Sequence, residues 1–150
     1  MADLGITTCI PERSNMGKRV SYTKIDQSFI DSMAVRDING FSSEDDEWVQ
    51  NLIHIMEKVL GMKQRVTYTY DFDLFKKYGN PTFKVGRGDW GGCSPDEGFV
   101  WINARKHKTS AKQELANTII HELLHIKHPN WKEKRIVSEA NKYVHTTEGN

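Results

Sequence analysis

The stretch "NTIIHELLHIKHPN", residues 117–130, constrains the fold of this chain more than any other segment. At about 100° per residue, its apolar residues and those just before it cover about half of the circumference of a helix. His121 and His125 project together from a different sector of that helix. A helix with so wide an apolar arc is mostly buried, and buried imidazoles need polar partners. The segment therefore predicts a buried helix that carries a polar site.

The spacing of the two histidines has a chemical meaning. At i and i+4 they stand about 6 Å apart on one face, so both rings can reach one Zn²⁺ at about 2.0 to 2.1 Å. Glu122 is angled beside such an ion, where it can act as a base towards a water molecule. The pattern predicts one zinc ion per chain, with His121 and His125 as ligands and Glu122 as the catalytic residue. The alternative is a helix with surface histidines and an ordinary glutamate.

A catalytic zinc site usually has a third protein ligand and an open position. His128 lies about 10.5 Å along the helix from His121, which strains simultaneous binding unless the helix breaks first. Glu139 lies on a second predicted helix, at about 132–144, beside its apolar face. Packing that face against the first helix would direct Glu139 to the metal. We therefore favour Glu139 over His128, although a solvated Glu139 paired with Lys142 is the simpler interpretation.

"HELLH" followed by "SEANKYV" resembles the pattern of ImmA/IrrE-type gluzincins, which are zincin-fold zinc metallopeptidases with a glutamate as third ligand. "FVWIN", residues 99–103, resembles the strand and asparagine that precede the motif there and in SprT-like proteins, the second choice. The resemblance covers about residues 98–144, and the short interval from His125 to Glu139 is closer to a minimal gluzincin. It implies His121, His125 and Glu139 as ligands and Glu122 as the base.

These observations predict a zinc metallopeptidase that acts on a peptide or protein substrate. The strand of Val100, Trp101, Ile102 and Asn103 is expected to hold an extended substrate by edge pairing. Tyr143 and His128 are candidates to assist the oxyanion or the substrate. The competing interpretation is a catalytically silent zinc-binding or partner-binding module on the same fold.

The rest of the sequence predicts one α+β domain over residues 1–150, with helices gathered on one side of a small mixed or antiparallel sheet. Ser43 is expected to cap a packing helix that ends near Gly61, and Ser110 with Gln113 to cap the HELLH helix. "QRVTYTYDF" and "FVWIN" are candidate strands, and "PTFKVGRGDWGG" is a candidate for a short strand that ends in a glycine-rich turn before the loop "CSPDEG". Residues 1–40 have no assigned role beyond a possible short helix at "IDQSFIDSMAV", and 145–150 are expected to form a loose tail.

Composition narrows the function only slightly. With 150 residues, 37% of them hydrophobic, the chain has the size of one domain, and its net charge of +1 favours neither nucleic acid nor membrane. Two distant cysteines indicate no disulfide scaffold. Without a signal peptide or a membrane span in the sequence, we expect a cytoplasmic protein. Basic residues near the motif predict a solvated rim: Arg105, Lys106, Lys108, Lys127, Lys132, Lys134 and Arg135.

Overall fold

The computed structural model describes residues 26–33, 40–81 and 84–148. Within these ranges the chain forms helices that alternate with short strands, as expected for an α+β protein. The helices are α1 (Gln27–Met33), α2 (Ser43–Val59), α3 (Phe72–Tyr78), α4 (Ala104–His107), α5 (Lys112–Lys127) and α6 (Glu133–Glu148). The strands are β1 (Thr67–Thr69), β2 (Gly91–Ser94) and β3 (Phe99–Ile102), and a 3-10 turn spans Pro95–Glu97.

The sheet is mixed, and its order is β1-β3-β2. β3 lies in the centre, parallel to β1 and antiparallel to β2. Because β3 is hydrogen-bonded on both sides, residues 100–103 have no free edge to offer to a substrate. The predicted substrate-edge strand is therefore wrong, and β2 is the outer strand on the side of the HELLH helix. Sheet order depends on long-range pairing, which the local pattern of "FVWIN" does not contain.

Helices cover both faces of the sheet, so the prediction that they gather on one side is wrong. Val100 and Ile102 belong to the larger core, which contains residues of α2, α5 and α6. Phe99 and Trp101 belong to a second core with residues of α1 and α3. All four side chains are at most 2% exposed. A strand that is apolar on both faces needs a cover on each.

The N-terminal caps of α2 and α5 differ from the sequence prediction by one residue each. Ser42, and not Ser43, caps α2, because its hydroxyl accepts from the Asp45 amide while the Asp45 side chain accepts from the Ser42 amide. Ser110 does not cap α5, since its hydroxyl donates to the His107 carbonyl oxygen at 3.1 Å. α5 begins without any side-chain cap. The sequence pattern located both helices but assigned both caps to the wrong residue.

The remaining predictions concern the ends of elements. α1 confirms the short helix near the N-terminus, although residues 1–25 and 34–39 lie outside the described residues. α6 continues to Glu148, so residues 145–148 belong to the helix and not to a tail. In β1 the threonines are as buried as Tyr68, which makes this strand fully covered instead of half-buried. Within the described ranges, every helix is too short or too polar to cross a bilayer.

Candidate metal centre

A tight turn joins α5 to α6 and determines which carboxylate reaches the histidines. The His128 ring stacks on the Trp131 ring with centroids 3.7 Å apart and planes within 5°. The Trp131 amide donates to the His128 carbonyl oxygen at 3.0 Å. The Arg135 guanidinium lies 3.8 Å from the centroid of the same indole ring. This stack closes the turn within five residues and places Glu133, the first residue of α6, beside α5.

Glu133 contacts both histidines of the HELLH motif. One carboxylate oxygen lies 2.9 Å from His121 Nε2, and the other lies 3.0 Å from His125 Nε2. One ligand atom from each of the three residues lies within 4.8 Å of the others. Ligand atoms around a tetrahedral zinc ion are about 3.3 Å apart, given zinc-ligand bonds of about 2.0 to 2.1 Å. The spacing and the chemistry of these donors therefore fit a zinc ion.

The structure brings His121, His125 and Glu122 together as predicted, but it places Glu133, not Glu139, at the histidines. Within the described part of the chain, no other carboxylate joins the two imidazoles in this cluster. Glu139 instead accepts from Lys142 Nζ at 3.1 Å. Six residues after Glu133, it lies about 9 Å farther along α6. The correction has a physical reason, because the sharp turn brings the start of α6, and not its middle, to α5.

Glu122 is buried beside this cluster. Burial raises the pKa of its carboxyl group to about 8, and the negative charges of Glu133 and Asp89 act in the same direction. The Cys93 thiol, in contact with this carboxyl group, opposes the rise, while burial raises the pKa of the thiol itself. Burial also lowers the pKa of His121. Desolvation thus favours the neutral forms of Glu122, Cys93 and His121.

A cavity of about 350 Å³ lies between α5 and β2, and the cluster forms part of its wall. Its lining includes Glu122 and Cys93 but neither Tyr143 nor His128, the two residues predicted to assist the oxyanion or the substrate. β2 comes very close to α5 at Gly91. A Cβ atom there would lie 2.9 Å from the Thr118 methyl group, so only glycine allows this approach.

The outer edge of β2 carries hydrogen-bonding groups that face away from the sheet. The Asn103 amide donates to the Trp90 carbonyl oxygen, and the pairs of an antiparallel ladder alternate between bonded and non-bonded. Gly92 and Ser94 therefore bond to β3, while the backbone groups of Gly91 and Cys93 point outwards. Among the described residues, none bonds to these outward groups. β2 thus provides an edge next to the cluster.

Asn103 acts on this edge indirectly. Its side-chain amide donates to the carbonyl oxygens of Arg87 at 3.0 Å and Asp89 at 2.9 Å. Its side-chain oxygen caps α4 by accepting from the Lys106 amide at 3.1 Å. Asn103 therefore fixes the turn that leads into β2, a role that differs from the predicted edge pairing.

The basic residues of the predicted rim are exposed, apart from the half-buried Lys127, and three of them have contacts outside the cleft. Lys106 Nζ donates to the Gly88 carbonyl oxygen, Lys127 Nζ donates to the Gly61 carbonyl oxygen, and Arg135 covers Trp131. Among the described residues that line the cleft, the acidic side chains of Asp89, Glu122 and Glu133 outnumber the one lysine, Lys84, and no arginine is among them. The cleft itself is therefore not a basic surface.

No family model, curated protein or solved structure matches this chain. The resemblance to gluzincins stays a prediction from the sequence motifs.

Proposed function

We propose that this chain is a zinc-dependent metallopeptidase that binds one zinc ion through His121, His125 and Glu133. The observation that carries the proposal is the convergence of three ligand atoms within 4.8 Å, beside a buried Glu122, at the wall of a cleft. The ligand set of two histidines and a glutamate is one that catalytic zinc sites use. A zinc ion held there supplies a Lewis acid that lowers the pKa of a water molecule to about 7. A peptide bond of a peptide or protein is the proposed substrate.

Glu122 serves as the general base and then as the general acid. Burial favours its protonated form, whereas a cation beside it favours its ionised form. These opposing influences allow the carboxylate to take a proton from water and to deliver it to the leaving amine. The Cys93 thiol contacts the carboxyl group, and both residues line the cleft.

The outer edge of β2 is the proposed docking strand for the substrate backbone. An extended peptide can pair with the outward amide and carbonyl groups of Gly91 and Cys93, and such pairing requires no particular side chain. The edge and the cluster belong to the same cavity, so a peptide bound there passes the histidines. Asn103 supports this arrangement through the turn that precedes the strand.

The test is hydrolysis of a pool of quenched fluorescent peptides by zinc-loaded wild type and Glu122→Gln. The substitution is expected to lower kcat/KM by about 10²- to 10⁴-fold, the usual contribution of a general acid–base residue. Zinc content and thermal stability serve as controls for the integrity of the site. Glu139→Gln is the matched control on α6, and it should keep the activity of the wild type.

Two results would count against the proposal. Equal activity of wild type and Glu122→Gln would assign the hydrolysis to another site or to a contaminant. A wild type that holds zinc and cleaves no peptide would favour the silent binding module.

A further inference from the structure

A second cavity, of about 560 Å³, lies next to the cleft that contains His121, His125 and Glu133. The two cavities share the wall residues Trp90, Asn117 and Thr118. Both run along α5, the first beside the HELLH motif and the second beside the start of the helix. The two cavities are therefore neighbours along α5, and a peptide that follows β2 past the cluster has its side chains within reach of the second cavity.

The distance along the groove matches the length of a short peptide. Asn117 lies one turn before His121 on α5, and Glu114 lies two turns before it. The corresponding separations along the helix axis are about 6 Å and 10.5 Å. An extended peptide advances about 3.3 Å per residue. A side chain about two or three residues from the reacting bond can therefore enter the second cavity.

The charge of the second cavity is negative. Glu114 is the charged side chain of its wall, and no lysine or arginine of the described residues lines it. The amide groups that line it add neutral acceptors, and Asn117 and Asn141 are fixed by a mutual hydrogen bond of 2.8 Å. The partial positive charge at the start of α5 offsets about half of a unit charge. The Lys106 ammonium lies 4.5 Å from the centroid of the Trp90 ring but does not line the cavity, so Glu114 is the charged group that a substrate side chain contacts there.

His107 does not change this balance. Its two ring nitrogens bond to Ser110 Oγ and to Thr118 Oγ1, each at 2.9 Å. Burial lowers the pKa of His107 to about 4, so the ring is neutral at physiological pH. Trp90, 42% exposed, adds an aromatic wall against which the methylene groups of a long side chain can pack.

We propose that this second cavity binds a lysine or arginine side chain of the substrate, with Glu114 as the residue that determines the specificity. This inference rests on the proposed function of the adjoining cleft. It assigns a substrate class, namely peptides with a basic residue within three positions of the reacting bond.

The test measures binding separately from turnover. Zinc-loaded Glu122→Gln is titrated with fluorescent hexapeptides of alanine and serine in which one lysine is moved through all positions. Parallel sets carry glutamine or glutamate in place of lysine. We expect one or two positions at which lysine binds about fivefold more tightly than glutamine, the size of an exposed ion pair. Added salt should weaken this preference.

Glu114→Gln, made in the same background, should abolish the preference for lysine. Glu44→Gln is the matched control, because Glu44 also lies in the first turn of a long helix but on α2. The inference is overturned if no position favours lysine, or if the preference persists in Glu114→Gln. If wild type cleaves peptides but shows no preference for lysine, only this inference is wrong. If wild type prefers lysine but cleaves no peptide, the proposed peptidase activity is wrong.

Discussion

α2 and α5 have almost the same length, 17 and 16 residues, yet they differ in how they begin and in how far they bury their polar side chains. α2 closes its start with a local capping box, buries one apolar stripe and leaves its other side in solvent. α5 has no side-chain cap and is buried over most of its circumference, including Glu122 and His125. Its polar side chains find partners on other elements, Glu133 on α6 and Cys93 on β2. Carboxylates of α2 also bond to distant groups, as Asp46 does to the Tyr68 hydroxyl group, but they are only partly buried. The two helices therefore differ in the burial of their polar groups, and it is the buried set on α5 that lines a cleft.

The largest expected difference between the two helices is in the cost of losing apolar contacts. Leu123 on α5 is 0% exposed, so Leu123→Ala should lower the free energy of unfolding by about 2 to 5 kcal/mol. Ile55 on the outer side of α2 is 57% exposed, and Ile55→Ala should change the free energy of unfolding by less than about 0.5 kcal/mol. Urea unfolding monitored by circular dichroism measures both. Similar losses for the two variants would contradict the described burial of α5.

Acid should destabilise the protein through a histidine that α5 helps to bury. The pKa of His107 lies at about 4 in the folded protein against an ordinary value of 6.5. Neutral His107 therefore contributes stability that is complete above pH 6.5 and is lost as the pH falls from 6.5 to 4. We expect the loss of stability caused by His107 between these pH values to be about 1 to 3 kcal/mol.

Unfolding of wild type, His107→Gln and His54→Gln at pH 7.5 and 4.5 tests this expectation. The loss between the two pH values should shrink in His107→Gln and stay unchanged in His54→Gln, since His54 lies exposed on α2. An equal loss in all three proteins would show that other groups cause the acid sensitivity.

The smallest expected effects concern the helix starts. Ser42→Ala removes the capping box of α2 and should cost about 1 kcal/mol, while Ser43→Ala should cost less than about 0.5 kcal/mol. Ala111→Ser supplies α5 with the side-chain cap that it does not have and should stabilise the protein by about 0.5 to 1 kcal/mol. Thermal unfolding measures all three changes. If Ser43→Ala lowers the stability more than Ser42→Ala does, the cap is Ser43, as predicted from the sequence.

The part of the site that lies within one helix was predictable. His121, Glu122 and His125 are fixed relative to one another by helix geometry, so their spacing contains the information. Glu133 depends on the turn after α5, which is held by the stack of His128 on Trp131, a contact that no periodic pattern encodes. In the sequence Glu133 lies between two lysines, a pattern typical of a solvent-exposed charge near the start of a helix.

Two of the three strands were predictable, but the second strand and the arrangement of the sheet were not, because β2 occupies Gly91–Ser94, where the sequence predicted a glycine-rich turn and a loop. "FVWIN" has the β-branched and aromatic residues that favour a strand, and β3 ends within one residue of the prediction. β2 consists of glycines, a cysteine and a serine, which favour strands poorly and here reflect the close approach of α5 at Gly91. Its position as the outer strand depends on pairing across the sheet. The edge was therefore assigned to the wrong strand.

The central claim is that Glu133 completes a zinc site with His121 and His125. Elemental analysis of zinc-loaded and dialysed protein tests it directly, for wild type, Glu133→Ala and Glu139→Ala. The account predicts about one zinc ion per chain in wild type and in Glu139→Ala, and a loss of bound zinc in Glu133→Ala. Retention of zinc by Glu133→Ala with loss from Glu139→Ala would contradict it, and so would a wild type that binds no zinc.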